Sequence, residues 1–68
     1  MKITVDYIEK TKELFRQGFV TSGKVYEVIN QSVSLGWIDI IDDTGEPLTI
    51  WENEWTLVDE SNLEGFKL

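Results

Sequence analysis

The sequence predicts a small all-β domain, and three observations support this class. Short runs rich in β-branched and aromatic residues recur along the chain, as in residues 25–29 and 37–41. Segments that favour tight turns separate these runs, and residues 42–45 are the clearest example. The length of 68 residues allows one modest core, because a chain of this size buries only about 60% of its unfolded surface. We therefore expect one domain over residues 1–59 and a polar C-terminal tail, free to be flexible, over residues 60–68.

The N-terminal part predicts one strand followed by a long loop. Residues 2–7 alternate between polar and apolar side chains, which is typical of a half-buried strand. Residues 8–22 break that alternation and mix charged side chains with apolar anchors, so we expect a long first loop that folds back on the sheet. One helical turn over residues 11–17 is compatible with this loop, with Thr11 or Asp6 as its cap.

Four more strands are predicted in the rest of the domain, at residues 25–29, 37–41, 48–51 and 55–58. Residues 30–35 are polar enough for a loop. Residues 42–45 predict a hairpin turn in which Gly45 supplies the positive φ. Residues 52–54 predict one tight turn or a short 3₁₀ step before the last strand. Five short strands, a long first loop and a 3₁₀ turn before the last strand together predict a small SH3-like barrel.

A family resemblance agrees with this fold. It is carried by residues 5–11, 23–28, 36–37 and 40–46. Over residues 3–59 the chain resembles a family of small, uncharacterised SH3-like domains from Gram-positive bacteria and their phages or prophages. The chain departs from that family at Trp51-Glu52, where members usually carry two prolines, and at Glu9, where glycine is common. The resemblance implies the fold and implies no ligand.

The charge distribution argues against one class of partner, nucleic acids. The net charge is −7, and residues 25–68 carry ten acidic residues against one basic residue, whereas residues 1–24 carry five basic and three acidic residues. Binding to a phosphate backbone requires clustered Lys and Arg side chains, so we expect no direct nucleic-acid binding. An acidic balance by itself usually contributes to solubility.

The chain contains no cysteine and no histidine. Disulfides, thiolate zinc sites, thiol nucleophiles and imidazole bases are therefore excluded, and we expect no enzyme activity, no cofactor and no metal site. The absence of cysteine fits a reducing compartment, and no apolar run that resembles an export signal or membrane span precedes Asp6. These features predict a cytoplasmic protein without membrane contact.

The segment Asp43-Thr44-Gly45 admits two catalytic or ligand-binding interpretations and one structural interpretation. Aspartic proteases use an Asp-Thr-Gly loop, but their chemistry needs two such carboxylates facing each other, and no flap segment is evident. Asp42, Asp43 and Glu46 would supply too few oxygens for a calcium site, which takes six to eight. We favour the structural interpretation, a hairpin turn in which Asp and Gly serve backbone geometry.

The aromatic residues are the better indication of function. Alternation places Ile38 and Ile40 on one face of their strand, and Trp37 and Asp39 on the other. In eukaryotic SH3 domains a tryptophan at the comparable place contributes to a groove for proline-rich peptides. We therefore name Trp37, Tyr7, Trp51 and Asp39 as candidate binding residues. In the alternative interpretation, Trp37 covers the barrel end and the other two aromatic residues belong to the core.

These observations favour a non-enzymatic interaction module that binds a protein or peptide through an aromatic and acidic surface. Glu9, Glu13 or Glu52 would lie at the edge of that surface, and Trp55 is expected in the core. The alternative is an acidic protein that mimics nucleic acid and inhibits a host DNA-binding protein. A structural subunit is a third hypothesis, and the oligomeric state stays open.

Overall fold

The computed structural model describes residues 1–58, which form five antiparallel strands and one short helix. The elements in chain order are β1 (Lys2–Val5), α1 (Lys12–Arg16), β2 (Val25–Ser32), β3 (Trp37–Ile41), β4 (Pro47–Trp51) and β5 (Trp55–Val58). The strand order across the sheet is β4-β3-β2-β1-β5. The all-β class is confirmed, and the bounds of β3 and β5 are those predicted from the alternation.

Strand β2 connects the two halves of the sheet. Its first part pairs with β1, with Ile3 opposite Tyr26, and its second part pairs with β3, with Gln31 opposite Ile38. Within the pairing with β3 the register shifts between Val28 and Asn30, so Ile29 is the extra residue of a β-bulge. Bulges bend a strand and increase its local twist, and this allows one long strand to serve two partners.

The core lies on one face of this sheet. Its buried apolar residues are Ile3, Val5, Val20, Tyr26, Ile38, Ile40 and Ile50. Leu14, Phe15, Val28, Leu48 and Trp55 pack against them and are partly buried. The period of two predicted the buried side chains of β1, of the first part of β2 and of β3, because alternate side chains of a strand point to opposite faces.

The long first loop folds back on the sheet as predicted, and it contains α1. Thr11 stands at the N-terminal cap position, but its side chain makes no capping hydrogen bond. The fully buried hydroxyl instead donates to the carbonyl of Asp6 (2.5 Å) and accepts from the amide of Ile8 (3.0 Å). Thr11 therefore occupies the predicted cap position but does not cap the helix through its side chain. Its hydroxyl instead stabilises the turn before the helix.

Two local predictions need correction. The segment predicted as a loop at 30–35 is strand up to Ser32, since its polar side chains lie on an exposed part of β2. The step before β5 is a β-turn rather than a 3₁₀ turn, closed by a hydrogen bond from the Glu54 amide to the Trp51 carbonyl (3.0 Å). Asn53 has a positive φ of 75°, which is what the third position of a type II turn requires.

The prediction of a closed SH3-like barrel is not confirmed, because residues 1–58 form an open sheet with β4 and β5 as its edges. The predicted boundary at residue 59 and the tail at 60–68 lie outside the described residues. Within residues 1–58, the helical part is too short to cross a bilayer.

Candidate functional site

Two of the predicted binding residues are adjacent on the outer face of the sheet. Trp37 of β3 lies directly opposite Trp51 of β4, and the neighbouring pair, Ile38 and Ile50, points into the core. Trp51 remains 51% exposed and Trp37 is half-buried. Directly opposed side chains have Cβ atoms only about 4.5–5.5 Å apart, so the two tryptophans start from neighbouring positions on this face.

Asp39 lies on the same face, two residues along β3 from Trp37. It is opposite Thr49 of β4, whose hydroxyl donates a 2.6 Å hydrogen bond to Asp39 Oδ1. One oxygen of this carboxylate is therefore engaged within the sheet. The predicted acidic neighbour of Trp37 is present on the outer face, with its orientation set by Thr49.

Tyr7 is placed differently from the other predicted residues. It follows β1 at the start of the long first loop and is 65% exposed. Its ring packs on Phe15, with the two ring centroids 5.2 Å apart. In the part of the chain that is described, its ring contacts neither Trp37 nor Trp51. The structure thus places the two tryptophans at opposed positions of one strand pair and puts Tyr7 in an aromatic contact with Phe15.

A cavity of about 210 Å³ lies beside Trp37, and we call it the Trp37 cavity. Its apolar walls come from Met1, Val33, Trp37 and Trp55. Ser32 and Gln31 of β2 and Glu52 of the turn before β5 add polar groups. Trp51 is not part of this lining, so Trp37 is the residue shared by the outer-face pair and the cavity.

Glu52 is held at the cavity by the turn that contains Gly36. The Glu52 amide donates a 2.7 Å hydrogen bond to the Gly36 carbonyl. Gly36 has a φ of +80°, and a Cβ at this position would lie 2.8 Å from Glu52 Oε2. Glycine at 36 therefore supplies both the backbone conformation and the space over which the Glu52 carboxylate lies.

Trp55 contributes a polar group to the same region. Its side chain is partly buried, and its indole Nε1 is buried without a hydrogen-bond acceptor among residues 1–58. Buried polar groups normally have a partner, so this N–H is an exception that costs stability. Sequence reasoning assigned Trp55 to the core and missed its place in the cavity wall. No signal in the local alternation distinguishes a tryptophan that fills the core from one that closes a cavity at its margin.

The turn at the other end of β3 forms a very different site, which we call the Asp43 network. The Asp43 carboxylate accepts hydrogen bonds from Thr21 Oγ1 (2.6 Å), Lys24 Nζ (2.6 Å) and Tyr26 Oη (2.9 Å). The Thr21 amide in turn donates to Tyr26 Oη (2.8 Å). The network ties the end of the long loop and the start of β2 to the β3–β4 turn.

The hydrogen bonds in this network shift the pKa of Asp43. The Lys24 ammonium, followed by the Thr21 hydroxyl, lowers the pKa of Asp43 from 3.8 to about 2. Burial raises the pKa of Tyr26 above 10.0, which keeps its hydroxyl protonated as a donor. The carboxylate is therefore ionised, and its hydrogen bonds are within the fold.

Asp42 has a similar structural role. Its Oδ1 accepts hydrogen bonds from the Thr44 hydroxyl (2.6 Å), the Thr44 amide (2.9 Å) and the Glu46 amide (3.1 Å). The Thr44 hydroxyl bond is the largest cause of a lowered pKa at Asp42. Both carboxylates of the turn serve its geometry, which supports the structural interpretation over a catalytic or cation-binding one. Within residues 1–58, no three acidic side chains form a group able to hold a metal ion.

The chain matches no family model, no curated protein and no solved structure. Its function is therefore inferred from the cavity itself.

Proposed function

We propose that this chain is a non-enzymatic interaction module that binds a protein or peptide at the Trp37 cavity and the adjoining Trp51. The observation that carries the proposal is a cavity of about 210 Å³ with two tryptophans in its wall. Sites for drug-sized ligands or cofactors are larger, roughly 300–1,000 Å³, so a side chain of a partner fits this volume better. Tryptophan is also one of the residue types enriched among the residues that dominate binding energy at interfaces.

An SH3-like architecture in a cytoplasmic protein belongs to the same proposal. The strand order β4-β3-β2-β1-β5, the division of β2 between two partners and the long first loop support it. So does the resemblance of residues 3–59 to the uncharacterised family from Gram-positive bacteria and their phages. Fold-level similarity of this kind supports the architecture and says nothing of the partner.

The alternative function is an acidic inhibitor that mimics nucleic acid. The excess of ten acidic residues over one basic residue in residues 25–68 favours it. The Asp42 and Asp43 carboxylates, however, already accept three hydrogen bonds each within the fold. A test of this alternative should therefore neutralise Asp39 and Glu46, because changing the turn aspartates would alter stability together with charge.

Selection from a displayed library of random peptides tests the leading proposal, because such a library samples many partner sequences at once. We expect the wild-type domain to enrich peptides that the Trp37→Ala variant does not retain, because the variant loses one wall of the cavity. Ile41→Ala is the matched control: Ile41 is exposed on the same face of β3 but at its other end. Circular dichroism and urea unfolding of each variant check that the fold is kept.

The outcomes separate the two functions. Enrichment that survives Ile41→Ala and is lost in Trp37→Ala supports the peptide module. If Trp37→Ala and the wild type enrich the same peptides, or if neither enriches any, the proposal is wrong. Binding to a DNA-handling protein that falls steeply with salt and with Asp39→Asn plus Glu46→Gln, but not with Trp37→Ala, would favour the acidic inhibitor.

A further inference from the structure

We infer that the Trp37 cavity receives a basic side chain, the lysine or arginine of a partner peptide, and that Glu52 recognises its charge. This inference rests on the proposed function and names the chemistry of the partner. It uses three observations: the size of the cavity, its tryptophan walls and the carboxylate at its margin.

The walls suit the apolar stem of a long basic side chain. Lysine and arginine bury their methylene groups along apolar surface while the charged end stays at a polar group or in water. Trp37, Trp55 and Met1 provide such a surface within a volume suited to one side chain. The face of an indole also attracts a cation.

Glu52 supplies the charge complement. Its carboxylate lies over Gly36 in the cavity wall, and within residues 1–58 it has neither an ion-pair partner nor a hydrogen-bond donor. Of the other nine carboxylates in residues 1–58, four have a cation within 4 Å: Glu9, Glu13, Glu27 and Asp43. Four more accept a hydrogen bond from a hydroxyl or an amide: Asp6, Asp39, Asp42 and Glu54. The Glu52 carboxylate, which lies in the cavity lining and has no cation within residues 1–58, therefore favours a cationic ligand over a neutral or acidic one.

The geometry of the site predicts which part of the ligand matters. An apolar side chain of the same length would keep the contacts with the walls and lose the attraction to Glu52. An acidic side chain would place a like charge beside Glu52 in a protein with a net charge of −7. Binding should therefore follow the order basic, then apolar, then acidic.

Short glycine peptides with one central lysine, arginine, norleucine or glutamate are suitable probes. They are titrated at millimolar concentration into the ¹⁵N-labelled full chain, and the indole N–H signals of Trp37 and Trp55 are followed by NMR. We expect the lysine and arginine peptides to shift these signals, with the norleucine peptide about tenfold weaker and the glutamate peptide inactive.

Two variants with the same change in net charge sharpen the test. Glu52→Gln removes the carboxylate at the cavity, and Glu46→Gln removes one in the distant β3–β4 turn. We expect the lysine peptide to bind about tenfold more weakly to Glu52→Gln and unchanged to Glu46→Gln. A general effect of net charge would instead weaken binding equally in both variants, which would overturn the inference.

Failure of this inference is distinguishable from failure of the proposed function. Equal binding of norleucine and lysine, no effect of Glu52→Gln, or no shift with either basic peptide overturns the role of the basic side chain. The proposed function would still stand if displayed peptides lacking Lys and Arg were enriched in a Trp37-dependent way. Enrichment of basic peptides that is lost in Glu52→Gln would support both.

Discussion

The two ends of strand β3 (Trp37–Ile41) differ in how their polar groups are satisfied. Just beyond the C-terminal end, the Asp43 carboxylate has three donors from Thr21, Lys24 and Tyr26. At the N-terminal end, neither the Glu52 carboxylate nor the buried Trp55 N–H has a partner within residues 1–58. At one end of β3 the turn carboxylate accepts hydrogen bonds from three donors. At the other end, these two polar groups of the Trp37 cavity have no hydrogen-bond partner in the described part of the chain.

This difference indicates that one end of β3 contributes mainly to stability and the other to binding. A small domain gains limited stability from its core, so a hydrogen-bonded network that joins distant segments contributes a substantial share. An unpartnered polar group stabilises nothing in the free protein and is available to a ligand. We therefore expect changes in the Asp43 network to affect stability, and changes in the Trp37 cavity to affect binding.

The largest loss of stability is expected from Asp43→Asn, because it removes the charge that organises three donors. Its pH dependence follows from the lowered pKa. Asp43 stabilises the fold above its ordinary pKa of 3.8, and this contribution is lost as the pH falls towards about 2. Urea unfolding between neutral pH and pH 2 should show a steep loss in the wild type and a shallower one in Asp43→Asn.

The lowered pKa of Asp42 should leave some acid sensitivity in that variant. If Asp43→Asn has the wild-type unfolding midpoint at neutral pH and the same acid slope, the network does not stabilise the fold, and the comparison between the two ends fails.

Tyr26→Phe is expected to have the next largest effect. It removes the hydroxyl that donates to Asp43 and accepts from the Thr21 amide, and its ring stays in the core. Leaving such groups unpaired costs about 1–3 kcal/mol in the free energy of unfolding. Tyr7→Phe is the control, because Tyr7 is exposed and its hydroxyl has no partner within residues 1–58. Equal effects of the two variants, measured by urea unfolding, would contradict the prediction.

The smallest difference in stability is expected between Gly36→Ala and Gly45→Ala, two variants that compare the turns at the two ends of β3. Both glycines have positive φ, +80° and +88°, so both variants should lose about 1–2 kcal/mol of stability. Only the Cβ at 36 would meet another group, the flexible Glu52 carboxylate. Gly36→Ala should therefore move the Glu52 carboxylate and lower the affinity for the lysine peptide. Gly45→Ala should leave the affinity for that peptide unchanged. NMR titration of the two variants checks this.

Local pattern predicted much of the fold. The bounds of β3 (Trp37–Ile41) and β5 (Trp55–Val58) follow from alternation and from the turns beside them. The hairpin turn at Gly45 follows from the need for positive φ. Alternation failed at the end of β2, where polar residues up to Ser32 remain in the strand because pairing with β3 holds them.

The candidate site was only partly predictable. Trp37, Trp51 and Asp39 share a face because β3 and β4 are neighbours in sequence, joined by a short hairpin, so their register follows from the turn. Tyr7 follows β1 (Lys2–Val5), which is not a neighbour of β3 or β4 in the sheet. Neither alternation nor turn preference therefore relates the position of Tyr7 to that of the tryptophans. The structure places it on Phe15 in the long loop.

The sequence by itself determined the all-β class, the position of most strands and the buried side chains of β1, of β3 and of the first part of β2, because these properties depend on residues a few positions apart. Tertiary structure alone decided that Trp37, Glu52 and Trp55 line one cavity and that Thr21, Lys24 and Tyr26 converge on Asp43. Those groupings depend on the bulge in β2 and on the path of the long loop. They join residues that are distant in sequence, and alternation and turn preferences carry no information over such distances.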